Sequence, residues 1–278
     1  MLFEKPLCVL INFLYVERDL IALMAWLEAI KTHLIVMIVG CTLAIQTQGA
    51  EKRVFSIGVE DYEHFMPYSQ FKNNSYEGLG KAILERFAAE KGYRFDYQVY
   101  PLKRRDRMFV EGQLDFIFPD HPYWVMDLKQ GLDIQYAPML EFTDGVVVLP
   151  ENKGKGLEAL KRMGLPLGFT AYQYLDAIKA GKIEVKEIGY DGLYRQVINR
   201  RVDGAYVNIK IARYYWQRQG GTNKQSPIVF DPDLPHATGF WSLSSQKYPT
   251  VIKEFRAFMR DNPQLIETLK QEYGFYIQ

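Results

Sequence analysis

Two separated stretches of the chain share one short pattern, and this repetition limits the folds that the chain can adopt. The stretch at residues 113–124 reads QLDFIFPDHPYW, and the stretch at residues 201–208 reads RVDGAYVN. Each places an aspartate after a basic helix end and continues into a short apolar strand with a polar tip. We expect the first of these strands to occupy Leu114–Phe118 and to stop at Pro119. Buried strands of open α/β sheets place ligands at their carboxyl ends, so the two units predict two similar lobes that face each other across a cleft.

Short strands and helices alternate through the chain after residue 50. Helices between consecutive strands predict parallel sheets with right-handed crossovers. The strands that we expect lie at residues 54–59, 94–99, 114–118, 134–136, 145–149, 166–170, 183–188, 202–207 and 239–243. The helices that we expect lie between an N-cap at Ser75 and a stop at Gly92, and at residues 103–110, 157–163, 171–180, 193–200, 209–219, 248–260 and 263–273. Asp261 or Asn262 is expected to cap the last helix, and residues 220–227 are expected to form a polar loop.

Two connections cross between the halves of this pattern, one outward and one back. We therefore expect a two-lobed α/β fold with a mostly parallel sheet in each lobe. The first lobe would hold residues 51–148 and 238–278, and the second would hold residues 149–237. Two crossings of this kind form a hinge, which lets a cleft close around a ligand through small backbone changes.

The composition argues against several classes of protein. A formal net charge of +1 provides no global attraction to nucleic acid. Cys8 and Cys41 both lie in the first 50 residues, so the rest of the chain has no disulfide, cysteine nucleophile or thiolate metal site. The four histidines show no zinc-binding spacing, and we expect neither a metal nor a cofactor. The 19 Tyr and 17 Phe fit either ordinary core packing or a pocket lined with rings.

The first 50 residues are typical of an export signal. An uncharged apolar run at residues 33–45 follows Lys31, and the small polar segment QTQGA follows the run at residues 46–50. The run is too short to span a bilayer comfortably. Cleavage at the end of QTQGA would release a soluble protein, and Met24 is a candidate for the true start. The run also resembles a bacterial lipobox that would attach a lipid to Cys41, and an uncleaved anchor is the third interpretation.

Five segments follow one another in a characteristic order and spacing. They read FSIGVEDYEHFMPYS at residues 55–69, EGQLDFIFPD at 111–120, QYAP at 135–138, RRVDGAYVN at 200–208 and EYGF at 272–275. In this order they resemble the family 3 extracellular solute-binding proteins, the polar amino-acid receptors of bacterial ABC importers. The resemblance spans about Arg53 to Phe275. It implies a type II periplasmic-binding-protein fold, a periplasmic location and, since this architecture needs no partner to bury its core, a monomer.

The resemblance also implies a function. A receptor of this type captures a small polar or aromatic, amino-acid-like solute in its cleft and delivers it to the membrane subunits of an ABC importer. One alternative is the same fold used as a ligand sensor. Another is an enzyme that resembles the periplasmic cyclohexadienyl dehydratases, with Glu60, Asp61 or His121 as the acid. No nucleophile–base pair stands out in the sequence, so we expect no catalytic residue.

Two positions depart from the family pattern. The family usually carries a Thr-x-x-Arg after the central strand, whose arginine binds the α-carboxylate of the ligand. Here the turn reads HPYWVMDLKQG, and its nearest cation is Lys129. The family often has an aspartate after the second-lobe strand for the ammonium group of the ligand, where this chain has Asn208. The ligand is therefore open between an amino acid and another small polar or aromatic molecule.

The candidate ligand-binding residues lie at the ends of predicted strands or the starts of predicted helices. Carboxylates and rings after the first strand suit a cationic group and an aromatic ring, and the helix start at residues 170–172 offers free N–H groups to an anion. Arg104 or Arg105 is a candidate to replace the arginine of the family. Each of these side chains could instead belong to a solvated loop, an ordinary helix cap or the core. The candidate set is Glu60, Asp61, Tyr62, Phe65, Asp120, His121, Tyr123, Trp124, Thr170, Ala171, Tyr172, Tyr206, Asn208 and Arg104.

Overall fold

The computed structural model describes Trp26, Glu28, Ile30, Lys31, residues 52–220 and residues 227–276. The chain divides into two compact units, Met1–Lys52 and Arg53–Gln278. In the first unit the four earliest described residues are helical, and Lys31 Nζ lies 3.0 Å from Glu28 Oε1. The predicted cleavage segment, lipidation site and alternative start lie outside the described residues, as does most of the predicted loop at 220–227. No helix within the described ranges has both the length and the apolar character needed to cross a bilayer.

The second unit alternates strands and helices. Its strands are β1 (Arg53–Glu60), β2 (Gln70–Lys72), β3 (Ser75–Glu77), β4 (Tyr93–Tyr100), β5 (Phe116–Asp120), β6 (Gln135–Val148), β7 (Arg162–Pro166), β8 (Glu184–Ile188), β9 (Gly204–Asn208), β10 (Val229–Phe230) and β11 (Ala237–Ser245). Its α-helices are α1 (Leu79–Lys91), α2 (Leu102–Val110), α3 (Met126–Lys129), α4 (Leu175–Lys179), α5 (Tyr190–Ile198), α6 (Ile209–Gly220), α7 (Pro249–Asp261) and α8 (Pro263–Glu272). Short 3₁₀ turns occupy Pro150–Asn152, Leu157–Ala159 and Tyr172–Tyr174.

One mixed sheet runs through this unit in the order β4-β1-β5-β11-β6-β9-β7-β8, with β10 paired to β6. At one end β1 is parallel to β4 and β5, and at the other end β7 is parallel to β8 and β9. In the sheet, an antiparallel strand lies next to each parallel set. Strand β11 pairs with β5, and strand β6 pairs with β9. The two stretches with the shared sequence pattern form β5 and β9, five buried residues each, at equivalent places in this topology. The expected two-lobed α/β fold is confirmed.

Strand β6 connects the two lobes. It pairs with β11 between Gln135 and Asp144, and with β9 between Asp144 and Val148. The extended segments expected at 134–136 and 145–149 are therefore parts of one continuous strand of 14 residues. The lobe boundaries expected at 148–149 and 237–238 stay predictions.

Aromatic side chains fill the core of the first lobe. The ring of Phe55 meets the rings of Tyr93 and Phe116 edge-on, each at a centroid distance of 5.3 Å. Phe87 of α1 is fully buried and meets Phe255 of α7 at 5.1 Å. Helix α1 ends at Gly92, as expected, because glycine adopts the φ of +69° at this C-cap without a steric penalty.

Two predictions about the first lobe are wrong. Ser75 belongs to the β2–β3 hairpin, and α1 begins after Gly78, where a Cβ would lie 2.5 Å from Ser69 Cα. Strand β5 does not stop at Pro119 but continues to Asp120. The strand tolerates a proline there because its pairing with β1 ends at Ile117 and its pairing with β11 is irregular at this point, so no ladder N–H is lost.

The second lobe also differs from the expectation at its first strand. We expected a helix at 157–163 and a strand at 166–170, but Leu157–Ala159 is a single 3₁₀ turn and the strand is Arg162–Pro166. Residues 163–166 are buried between β8 and β9, where Gly164 gives space to Leu193. The chain turns after Pro166 because Gly168 adopts a φ of +83°.

Because aromatic rings fill the core of the first lobe, truncation of a side chain at its centre should strongly lower the free energy of unfolding. Phe87→Ala removes a fully buried ring and should lower the free energy of unfolding by about 3–5 kcal/mol, as urea denaturation would measure. Phe240→Ala is the matched control, because Phe240 is 53% exposed and its truncation should cost less than about 1 kcal/mol. Equal decreases in the free energy of unfolding for the two variants would contradict the placement of Phe87 in the core and of Phe240 at the surface.

Candidate functional site

A cavity of about 400 Å³ lies where the strand ends of the two lobes meet. The first lobe supplies the ends of β1 and β5, the start of α2 and the turn after β5, and the second supplies the loop after β7 and part of β9. The crossing strands β6 and β11 form the remaining wall. A cavity of this size is suited to a small molecule.

Nine of the predicted site residues line this cavity. They come from four separate segments, which the fold brings together. They are Glu60, Tyr62, Phe65, His121, Tyr123, Trp124, Thr170, Tyr172 and Tyr206. That these residues bind a ligand stays a prediction.

The other five predicted residues, Asp61, Asp120, Ala171, Asn208 and Arg104, lie outside the lining. Ala171 and Asn208 are fully buried behind it. Asp120 is buried and forms an ion pair of 2.6 Å with Lys129 Nζ. The Arg104 guanidinium lies over the Tyr100 ring, 5.1 Å from its centroid. Asp61 is exposed in the loop after β1.

At the predicted helix start at residues 170–172 and in the turn that follows it, two backbone N–H groups are bonded within the turn. The N–H of Tyr172 donates to the carbonyl of Thr170 at 3.0 Å, and the N–H of Tyr174 donates to the carbonyl of Ala171 at 2.9 Å. The segment forms a 3₁₀ turn and then a helix of five residues. That this turn binds an anion stays a prediction, with the amides of Tyr172 and Tyr174 already bonded within the turn.

Arg105 is committed to the protein interior. It is fully buried, and its Nε and Nη2 both donate to Asp106 Oδ1, at 3.1 and 2.7 Å. Its Nη1 donates to the carbonyl of Phe118 at 3.3 Å and lies 3.6 Å from Glu60 Oε2. Lys129 is equally occupied, because its Nζ also donates to the carbonyl of His121 at 2.9 Å. Neither cation is placed to bind a carboxylate in the cavity as the arginine of the family does.

Glu60 ends β1 at the edge of the cavity and is 1% exposed. The Ser69 hydroxyl donates a short hydrogen bond to its Oε1, and the Tyr76 hydroxyl donates to the same oxygen at 3.4 Å. Its Oε2 accepts no hydrogen bond from any described residue. Burial raises the pKa of Glu60, and the nearby Arg105 opposes this shift.

Asp144 lies inside β6 and lines the cavity, although it is not among the predicted site residues. Burial raises the pKa of its carboxyl to about 7, and the hydrogen bond from Asn208 opposes this shift. The Nδ2 of Asn208 donates to Asp144 Oδ1 at 2.9 Å. No described lysine or arginine forms an ion pair with Asp144. Carboxylates with shifts of this kind are concentrated at functional sites.

His121 follows β5 and faces the same cavity. Burial lowers the pKa of its imidazole, and the charge of Lys129 lowers it further, which favours the neutral ring. Its Nδ1 accepts a hydrogen bond from the N–H of Tyr123 at 3.3 Å. The ring also meets Phe142 edge-on at 5.6 Å, which places the histidine in the aromatic wall.

Aromatic rings make up much of this wall. Trp241 of β11 stacks on Phe142 at 5.6 Å and on Phe65 at 5.4 Å, and Trp124 meets Trp241 edge-on at 6.1 Å. On the side of the second lobe, Phe169 meets Phe65 at 6.1 Å. The rings present apolar faces together with the negative potential of their π-systems.

Two hydrogen bonds join the lobes across the cavity. The Tyr62 hydroxyl donates to the carbonyl of Leu167 at 2.8 Å, and the N–H of Val125 donates to the Tyr172 hydroxyl at 3.1 Å. The Tyr62 ring also meets Phe169 edge-on at 5.8 Å. The two sides of the cleft therefore touch each other in this structure.

Sequence reasoning missed the cavity residues that lie inside strands. Asp144, Phe142 and Trp241 lie inside β6 or β11, whereas the sequence predicts site residues at strand ends and helix starts. The available signal was the single acidic residue in the apolar segment FTDGVVV. A lone carboxylate among buried strand residues is unusual and deserves a functional explanation.

No protein-family model and no curated protein matches the sequence. Solved structures match the fold. An arginine 3rd transport system periplasmic binding protein from Legionella pneumophila has 13% identity and a TM-score of 0.62, over 80% of this chain and 100% of that one. An ABC uptake transporter substrate-binding protein from Streptococcus pneumoniae with bound histidine has 17% identity and a TM-score of 0.61, over 79% and 92%. The GluR0 ligand-binding core in complex with L-glutamate has 11% identity and a TM-score of 0.62, over 81% and 99%.

These likenesses establish the fold. The chain has the two-lobed type II periplasmic-binding-protein fold that the sequence resemblance implied. The descriptions of the three proteins name three chemically different amino acids. The fold alone therefore does not indicate which solute a protein binds, and the ligand must be inferred from the residues of the cavity.

The raised pKa of Asp144 predicts a pH dependence of stability. Its pKa is about 7 when folded and 3.8 ordinarily, so its stabilising contribution is complete below about pH 4 and is lost as the pH rises towards 7. Asp144→Asn keeps the side-chain shape and removes the titration. The free energy of unfolding of the variant minus that of the wild type should rise by at least about 1 kcal/mol between pH 4 and pH 8. Urea denaturation of both proteins across this range measures the difference, and a constant difference would contradict the prediction.

Proposed function

We propose that the protein is a periplasmic solute-binding protein that closes its cleft around a small polar or aromatic solute and delivers it to an ABC importer. The observation that carries the proposal is the cavity of about 400 Å³ between the two lobes, with hydrogen bonds across it. Pockets that enclose a small ligand have this size and this mixture of rings and few polar groups. The two crossing strands supply the hinge that such closure needs.

The known structures with this fold support the same proposal. Two of the three described above belong to transport systems by their descriptions, and the third is a ligand-binding core. All three descriptions are of binding proteins and none is of an enzyme, which favours a binding role. Export to the periplasm rests on the order of segments in the first 50 residues.

A panel of small molecules tests the proposal by thermal unfolding. The panel contains amino acids, amines, organic acids, aromatic acids, neutral aromatics and short peptides. A ligand that binds only the folded protein should stabilise it by about 2.7 kcal/mol at a hundredfold excess over its dissociation constant, which raises the unfolding temperature by several degrees. The shift should saturate with concentration, and no new product should form. A complete absence of shifts across the panel would contradict the proposal.

The Tyr62–Leu167 hydrogen bond predicts how closure contributes to affinity. Tyr62→Phe removes a bond between the lobes and should weaken binding of the ligand found in the panel about fivefold, which corresponds to a net hydrogen-bond contribution of about 1 kcal/mol. Tyr93→Phe is the matched control, because its hydroxyl donates to Glu254 at 2.8 Å, away from the cavity. Titration calorimetry measures both affinities. Equal affinities for wild type and Tyr62→Phe would contradict a role of this bond in the bound state.

A further inference from the structure

The charges around the cavity are unevenly compensated. Glu60, Asp106 and Asp144 line it, and of the cationic side chains Lys103 alone is among the described lining residues. Glu60 and Asp106 share the buried guanidinium of Arg105. Lys103 is exposed and lies at the start of α2.

Asp144 differs from the other two carboxylates because no cation of the described chain pairs with it. Its one hydrogen-bond donor among described residues is the neutral amide of Asn208. The hydroxyl-bearing rings of Tyr68, Tyr190 and Tyr206 also lie near its carboxylate. An ionised carboxylate at an enclosed site is costly unless a cation reaches it, so the missing partner would come from the ligand.

The cavity is poorly equipped to bind a carboxylate. No arginine is among the described residues that line it, and Arg105 already uses its donors on Asp106 and Phe118. In the turn at 170–174 the amides of Tyr172 and Tyr174 are bonded internally. The one cationic side chain among the described lining residues is the exposed Lys103, and a ligand carboxylate inside the cavity would lie near Glu60 and Asp144, whose charges oppose it.

The wall next to Asp144 suits a cation with an apolar body. Phe142 lies two residues away on β6, and Trp241 stacks on it at 5.6 Å. Tyr206 of β9 and Phe169 also line the cavity. Ammonium and guanidinium groups are attracted to the faces of such rings, and an aromatic or aliphatic body fills the remaining apolar space.

We propose that the ligand is an organic cation, an ammonium or guanidinium group on an apolar or aromatic body without a carboxylate, and that Asp144 is its counter-ion. This inference rests on the proposed solute-binding function and names the class of solute. It separates this cavity from one that holds an amino acid by both of its charged ends.

Matched compounds that differ by one carboxylate test the proposal. Titration calorimetry of the purified protein compares tyramine with tyrosine and with 3-(4-hydroxyphenyl)propionic acid, and compares agmatine with arginine. We expect at least one amine to bind saturably, at least about tenfold more tightly than the amino acid with the same body, and the acid to show no binding. The proposal is overturned if neither amine binds, or if an amino acid or the acid binds as tightly as the matching amine.

A substitution at Asp144 tests whether this carboxylate binds the amine. Asp144→Asn should weaken binding of the amine at least about tenfold, because it removes the counter-ion and keeps the side-chain shape. Asp127→Asn removes the same charge from an exposed position outside the cavity lining and should leave the affinity unchanged. Circular dichroism and urea denaturation establish that both variants are folded. Unchanged amine affinity in folded Asp144→Asn would overturn the assignment.

The outcomes separate this inference from the function on which it rests. If an acid, an amino acid or a neutral aromatic binds and the amines do not, the protein is a solute-binding protein and the cation assignment is wrong. If no compound of either panel binds, both proposals fail.

Discussion

The buried guanidinium of Arg105 is the interaction on which the shape of the cleft depends. It contacts Asp106 on its own helix, Glu60 at the end of β1 and the carbonyl of Phe118 in β5, so one side chain ties α2 to two adjacent strands. Removal of the Arg105 side chain would leave the two carboxylates without their shared cation, which costs several kcal/mol. The cluster therefore holds two of the three cavity carboxylates in place and neutralises part of their charge. Asp144 is left as the cavity carboxylate with which no described lysine or arginine forms an ion pair.

The fold could be predicted from the sequence because its signals are local and repeated. The patterns at β5 and β9 share an aspartate, a short apolar run and a polar tip, and they occupy equivalent strands of the two lobes. The predicted strand boundaries are wrong where pairing with distant strands determines where a strand begins or ends. Pro119 is a strand breaker in isolation, yet an irregular pairing with β11 accommodates it. Residues 162–166 carry a glycine and a proline, and they form a strand because β8 and β9 flank them.

The site was predicted only in part, for a related reason. Strand ends and turns can be located from the sequence, and Tyr62, His121 and Trp124 were found in this way. The wall contributed by β6 and β11 could not be located, because its residues become neighbours only when two distant strands pair between Leu140 and Trp241. The sequence also does not show which charged side chains pair with each other. Arg105 and Lys129 could face solvent or a ligand in another fold, and here they are buried beside Asp106 and Asp120. The sequence pattern therefore predicts the general region of the site, whereas the packing of the folded chain determines which of its charges are paired.

The register of β6 has a mechanical consequence. Asp144 is the residue at which this strand exchanges partners, opposite Ala237 of β11 on one side and Asn208 of β9 on the other. A rotation of one lobe against the other moves the rim of the cleft far and its pivot little, as in any hinge. A group bound at Asp144 would therefore keep its anchor while Tyr62 and Leu167 separate at the rim. In the proposed binding role, capture and enclosure would be successive events, the first dependent on the charge at the pivot and the second on the contacts at the rim.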